Sequence, residues 1–225
     1  MTWAELYAEL KSSLGTDTQW GESELMMYSN QAIRIYSRYF PQDDSSSLAT
    51  DGSTQAWTLP SDIVRATKKG VKRLEFDEAG GGDPRFLEEI QIKPGTQFYD
   101  VSSQYPLMWH VEEGQLKLTS APDADDVLTL YYFKKHTEMA DSTTVVSVPD
   151  ADLELIHLYV ASRATARLAI STGRRDRFKM RQIDAGNPEQ NPLTPLHKVM
   201  VKEFWDALYQ RLPTGNVDFH RRGRG

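Results

Sequence analysis

Apolar residues recur at helical spacing near both ends of the chain and at strand-like spacing between them. Trp3, Leu6, Tyr7, Leu10 and Leu14 share one face of a helix predicted over Thr2 to Leu14. Thr2 and Glu5 stand at capping-box spacing, where each side chain satisfies a free amide near the other, and Gly15 ends the run. A second helix is predicted from about Ser23 to Phe40, with Leu25, Met26, Ile33, Tyr36 and Phe40 as its apolar set and Pro41 as its stop. The longest pattern is Pro149 to Met180, in which Leu153, Ile156, Val160, Ala164 and Leu168 form one face. Asp150 or Asp152 is placed to cap it, and its small residues admit a close neighbour. Gly173 marks an exit or a weak point, with a second helical run expected over Arg174 to about Ala185. After the break GNPEQNPLTP, Leu196, Val199, Met200, Phe204 and Leu208 predict a last helix ending near Leu212.

Between these helices the period shortens. Residues 42–54, QDDSSSLATDGST, have no apolar period and read as a loop. AWTLP and DIVRATKKGVKRLEF mix β-branched and aromatic residues with polar ones, as half-buried strands do. EAGGGDP (78–84) reads as a flexible turn, and Phe86 to Tyr99 fits either a strand or a short helix. PLMWHV, QLKLT and VLTLYYFKK, joined by EEG and SAPDADD, predict a three-stranded antiparallel meander. The order helices, sheet, helices is that of an α+β protein.

Charge adds what periodicity cannot. The net charge of −6 hides seven Lys/Arg against one Asp in residues 163–181, and three more arginines in the last six residues. Outside those two stretches the chain carries 16 cations against 31 anions, a net charge of −15. Such a body repels nucleic acid over most of its surface and suits docking to another protein, including another copy, through local complementarity. Composition is that of a soluble globular protein, with no apolar run long enough to span a bilayer and no signal-peptide pattern, so no membrane partner and a cytosolic default are expected. The absence of cysteine excludes disulfides, thiolate zinc sites and a cysteine nucleophile.

No motif carries chemistry. Glu154 and His157 have the E-x-x-H spacing of di-iron helices but lack the second such pair and the extra glutamates, so they read as a surface pair. Asp123, Asp125 and Asp126 lack EF-hand spacing, and Gly80 to Gly82 precede no phosphate-loop Lys-Ser/Thr. The five histidines are scattered, with no triad-like neighbourhood. Neither a catalytic residue nor a cofactor is expected. The residues singled out for partner contacts are Arg163, Arg167, Arg174, Arg177 and Arg181 on the helical stretch, and Phe219, His220, Arg221 and Arg222 in the tail PTGNVDFHRRGRG. The tail reads as an extended strap that orders on a partner. The arginine stripe has a second reading, as the phosphate-binding face of a nucleic-acid-binding accessory module. The tryptophans lie away from it in the sequence, unlike a base-stacking platform.

The ordered series WAELYAELKSSLG, YSNQAIRIYSRYFP, LPSDIVRATKKGVKR, the predicted meander and VPDADLELIHLYVASRATARLAISTGRRDRF resembles the head-to-tail connector (adaptor) proteins of tailed bacteriophages over about residues 3–185. That resemblance implies an antiparallel helical bundle (1–41 with 149–212), an inserted antiparallel β-rich domain (55–148) and an extended C-terminal tail (213–225). It implies a non-enzymatic virion protein, synthesised in the host cytoplasm and sited in the neck. Its partners would be further copies in a ring of about twelve, the portal above and a neck or tail protein below. DNA would pass through the lumen without sequence-specific binding. The stretch GNPEQNPLTP departs from the family's pattern.

Overall fold

In the computed structural model, which describes residues 1–15, 20–65, 67–79, 83–90, 107–180 and 193–212, the capping box forms as its spacing predicts. Thr2 N donates to Glu5 Oε2 at 2.7 Å and Glu5 N to Thr2 Oγ1 at 3.4 Å, opening α1 (Trp3–Leu14). Helix α2 spans Glu22–Tyr39, α3 spans Leu153–Met180 and α4 spans Leu193–Gln210. The strands are β1 (Gln42–Leu48), β2 (Ala56–Thr58), β3 (Val71–Asp77), β4 (Arg85–Glu89), β5 (Met108–Glu112), β6 (Gln115–Leu118) and β7 (Val127–Lys134). The chain divides into two compact units, residues 1–39 with 136–225, and residues 40–135.

The architecture is α+β, but it is not an antiparallel helical bundle carrying an antiparallel β insertion. The helices are mostly short, and an extended segment, as well as the neighbouring helices, holds the first of them. Trp3 N donates to Thr144 O (2.9 Å), Ala4 N to Ser142 O (3.2 Å) and Val146 N to Met1 O (3.0 Å). Met139, Val146 and Val148 from that segment are buried, as are Trp3, Leu6 and Leu10 of α1 and Leu25, Ile33 and Tyr36 of α2. The core of this unit is therefore built from helix faces and irregular backbone together.

The turn that receives α1 is organised by Asp141. Its Oδ1 accepts from the backbone N and hydroxyl of both Thr143 and Thr144, at 2.8 to 3.0 Å. These bonds, the Thr143 hydroxyl first, hold the carboxyl below its ordinary value. A depressed folded-state pKa contributes stability that is fully present above about pH 4 and is lost as pH falls through the lower folded value. Asp141→Ala is expected to speed amide exchange at Trp3 and Ala4 about tenfold at neutral pH, and to remove the acid-dependent part of their protection. Exchange unchanged by the substitution would count against this role.

The expected cap on α3 does not form. A 3-10 turn (Asp150–Asp152), itself N-capped by Pro149 without a side-chain bond, leads into the helix. Asp152 is occupied elsewhere: it accepts from Tyr36 Oη at 2.5 Å and pairs with Arg211 Nε at 3.1 Å. Arg211 Nη2 also donates to Glu154 at 2.8 Å. Burial, then the bond to Asp152, pushes the Tyr36 phenol well above its ordinary value. Helix α3 continues unbroken through Gly173, since one interior glycine costs only about 1 kcal/mol. The rest of the second run predicted to Ala185, and the tail 213–225, lie outside the described residues.

In the second unit all seven strands join one curled sheet, in the order β1-β7-β3-β4-β5-β6-β2. Residues 42–48 form a strand, not a loop. Leu48 is their only apolar side chain, but the backbone pairs with β7 in full register, from Gln42↔Lys134 to Leu48↔Leu128. Polar side chains suit its place at the end of the strand order. Of DIVRATKKGVKRLEF, only Val71–Asp77 is a strand; Ile63 makes an isolated bridge to Lys134 and Lys68–Gly70 is a 3-10 turn. Arg85–Glu89 settles the ambiguous stretch as strand at its start, while residues 91–106 lie outside the described set.

The meander is corrected too. β5 and β6 form its hairpin, but β6 pairs onward with β2, and β7 lies between β1 and β3. The buried carboxylate of Asp126 diverts the chain. It accepts from Asp123 N (2.8 Å) within its own turn and from Ala79 N (2.9 Å) just beyond β3, which sets β7 beside β3. One pair, β4 with β5, is parallel. Inward residues such as Leu74, Phe76, Leu87, Trp109, Leu116, Leu118, Leu128 and Leu130 form the core of this unit.

Candidate functional site

Helix α3 carries the basic stripe, and its unbroken backbone fixes the register. At 100° per residue, positions 163, 167, 174 and 177 fall within about 80° of arc along roughly 21 Å. A helix interrupted at Gly173 would have no such common face. The side chains of Arg174 and Arg177 are not among those described, and Arg181, Phe219, His220, Arg221 and Arg222 lie outside the described residues.

Arg163 and Arg167 are exposed but not loose. Tyr159, one turn earlier, accepts from Arg163 Nε (3.0 Å) and Nη2 (2.8 Å) on its hydroxyl, and the guanidinium lies 5.0 Å from the ring centroid. The same hydroxyl donates to Gln31 Oε1 on α2 at 3.4 Å, and the ring meets Phe204 of α4 edge-on at 5.2 Å. Arg167 pairs with Glu24 of α2 and lies over the buried Trp20 ring at 5.5 Å. The fold thus puts a tryptophan beneath the basic stripe that the sequence keeps apart from it.

Between α2 and α3 runs a shallow open groove lined by Tyr28, Gln31, Arg163, Ala166 and Arg167. Tyr28 Oη donates to Glu24 at 2.9 Å; burial raises its pKa, and the Arg163 charge opposes that rise. Two guanidiniums, a phenol and an amide therefore border a strip whose small member, Ala166, leaves room. Guanidinium forks and aromatic rings are the side chains enriched at protein interfaces, and N–H donors of this kind are chemically suited to carboxylate or carbonyl oxygens.

Sequence reasoning found the two arginines but not Tyr28, Gln31, Tyr159 or Ala166. Their membership follows from how α2 lies on α3, for which no short-range signal exists. It also missed a neighbouring depression on α2 lined by Ser23, Met26, Met27, Asn30 and Arg34, where Met27 is 49 % exposed. Two adjacent methionines on one helix cannot both face a core, and that signal was available. Asn30 is fixed by a paired amide contact with the Met139 backbone (2.9 and 2.8 Å), and Arg34 by a fork onto Glu138. Glu154 and His157 do not converge: Glu154 pairs with Arg211, and His157 lies 3.4 Å from Glu9.

A protein-family model described as SU10 adaptor protein matches residues 1–192. No curated protein matches the chain.

Proposed function

The chain belongs to the SU10 adaptor protein family, a phage head-to-tail adaptor family, and on that premise we propose that it assembles as a ring beneath the portal. In this reading the ring prolongs the DNA channel and offers a platform to the next neck or tail protein. Copies dock through the α2–α3 groove, where Arg163 and Arg167 meet carboxylates of a neighbour. The net charge of −15 outside the two basic stretches makes such carboxylates plentiful, and repels DNA from the remaining surface. The carrying observation is the family match over residues 1–192. The tail residues Phe219, His220, Arg221 and Arg222 supply the contact to the portal in this scheme.

Native mass spectrometry of the purified chain, alone and mixed with the portal of its own virus, tests the reading. A closed oligomer in either sample is expected. Arg163→Glu combined with Arg167→Glu is expected to raise the concentration needed for assembly about tenfold or more, while thermal melting confirms a folded subunit. Normal rings from that double variant, accompanied by lost DNA retention on filters, would transfer the stripe to nucleic-acid binding.

A further inference from the structure

Strand alternation sorts β3, β4 and β7 into an inward set, buried in the core, and an outward set. The outward face carries three aromatic side chains, Phe86, Tyr131 and Phe133, among its charged ones. Arg73 is held between the rings of Phe86 and Tyr131, its guanidinium carbon 4.3 and 4.4 Å from their centroids. Beside it, Lys72 lies over Phe133 at 5.4 Å and pairs with Asp43 at 2.7 Å. Phe86 is 54 % exposed, and Val127 on the same face is 49 % exposed. Among the described residues the Arg73 guanidinium has no hydrogen bond or ion pair, although Lys72 beside it has one.

Two rings from neighbouring strands this close to the guanidinium carbon restrict the side chain's freedom, while its N–H donors remain available to a further group. Such a fork is preorganised for a carboxylate, since little side-chain freedom is left to lose. A polyanion is a poor occupant, because Glu75 and Glu88 alternate onto the same outward face and repel a run of phosphates. A single carboxylate set against Arg73 meets that repulsion with one charge, where a run of phosphates meets it with every charge.

We propose that this face of the sheet docks a second copy of the chain, which sets a carboxylate against Arg73 and covers Phe86, Tyr131 and Phe133. The second copy is favoured by charge complementarity to Arg73: 31 anions against 16 cations stand outside the two basic stretches, so another copy carries carboxylates in excess. The contact joins two different patches, the heterologous kind that closes into a ring. In that respect the proposal rests on the ring reading, while the surface it names lies in residues 40–135 rather than on α3.

The test is photo-cross-linking with p-benzoylphenylalanine at Phe86, run on the purified chain both alone and with the portal. A self-link of about twice 25.6 kDa, in either sample, is the expected product. Arg73→Ala is expected to lower its yield about tenfold at matched concentration, with an unchanged melting transition. A Phe86 position that links only to the portal, or to nothing in both samples, overturns the proposal. Failure of the ring reading is scored separately, by native mass, as a chain that neither oligomerises nor binds the portal.

Discussion

Trp3→Ala is expected to destabilise the unit formed by residues 1–39 and 136–225 by about 4 kcal/mol, within the range for deleting a fully buried tryptophan. Trp3 has no exposed surface. Its indole N–H donates to Glu22 Oε1 at 3.0 Å, tying α1 to the start of α2, and its ring lies 5.6 Å from that of Tyr7. Its backbone N also donates to Thr144 O, so the residue stands where helix and extended segment meet. Alanine keeps that backbone bond but loses the indole contact and opens a cavity. In calorimetry the transition of this unit should fall sharply, with amide protection lost first around residues 2–14 and 139–148. Met27→Ala, at an exposed position, should shift the same transition by less than about 0.5 kcal/mol. If the two variants melt alike, the first helix is not part of the cooperative core.

The contrast between that helix and β1 shows what was legible in the residues. Helix α1 is written twice, once in the spacing of Trp3, Leu6 and Leu10 and once in the Thr2–Glu5 cap, and both are local. Strand β1 is written nowhere in its own seven residues, because its stability comes from backbone pairing with β7, whose partners stand 80 to 92 positions away. The order of β7 in the sheet depends likewise on one buried carboxylate, Asp126, in a turn whose three aspartates look alike in sequence. At the candidate site the arginines were legible as a charge run. Their neighbours Tyr28 and Gln31 were not, since nothing local says which face of α2 meets α3. The arginine held by two rings on the sheet is of the same kind, because Arg73, Phe86 and Tyr131 come from three strands that only the sheet order brings together.

Gly70→Ala is expected to cost residues 40–135 about 3 kcal/mol, at the upper end of what overpacking costs. A Cβ at Gly70 would stand 2.0 Å from the Arg65 carbonyl oxygen and 2.9 Å from two carbons of Ile63. The first of these is backbone, so relief requires the turn itself to move, not a side chain to swing. That turn is tied down on both sides. Gly70 N donates to Thr67 O at 2.8 Å, Val64 N to Phe133 O at 2.8 Å, and Lys135 N to Asp62 O at 2.8 Å. Ile63 is itself buried and bridges to Lys134. Shifting the turn therefore loosens the end of β7, the strand that links β1 to the rest of the sheet. Gly21→Ala supplies the control, since the nearest atom to a Cβ there is the Ser23 hydroxyl at 3.9 Å, an ordinary contact. Chemical denaturation should separate the two, with the midpoint falling for Gly70→Ala and staying put for Gly21→Ala. Equal midpoints would mean that the turn before β3 yields without cost. The same pair bears on assembly: if Gly70→Ala lowers the Phe86 self-link as well as stability, the aromatic face depends on the sheet staying closed around β7.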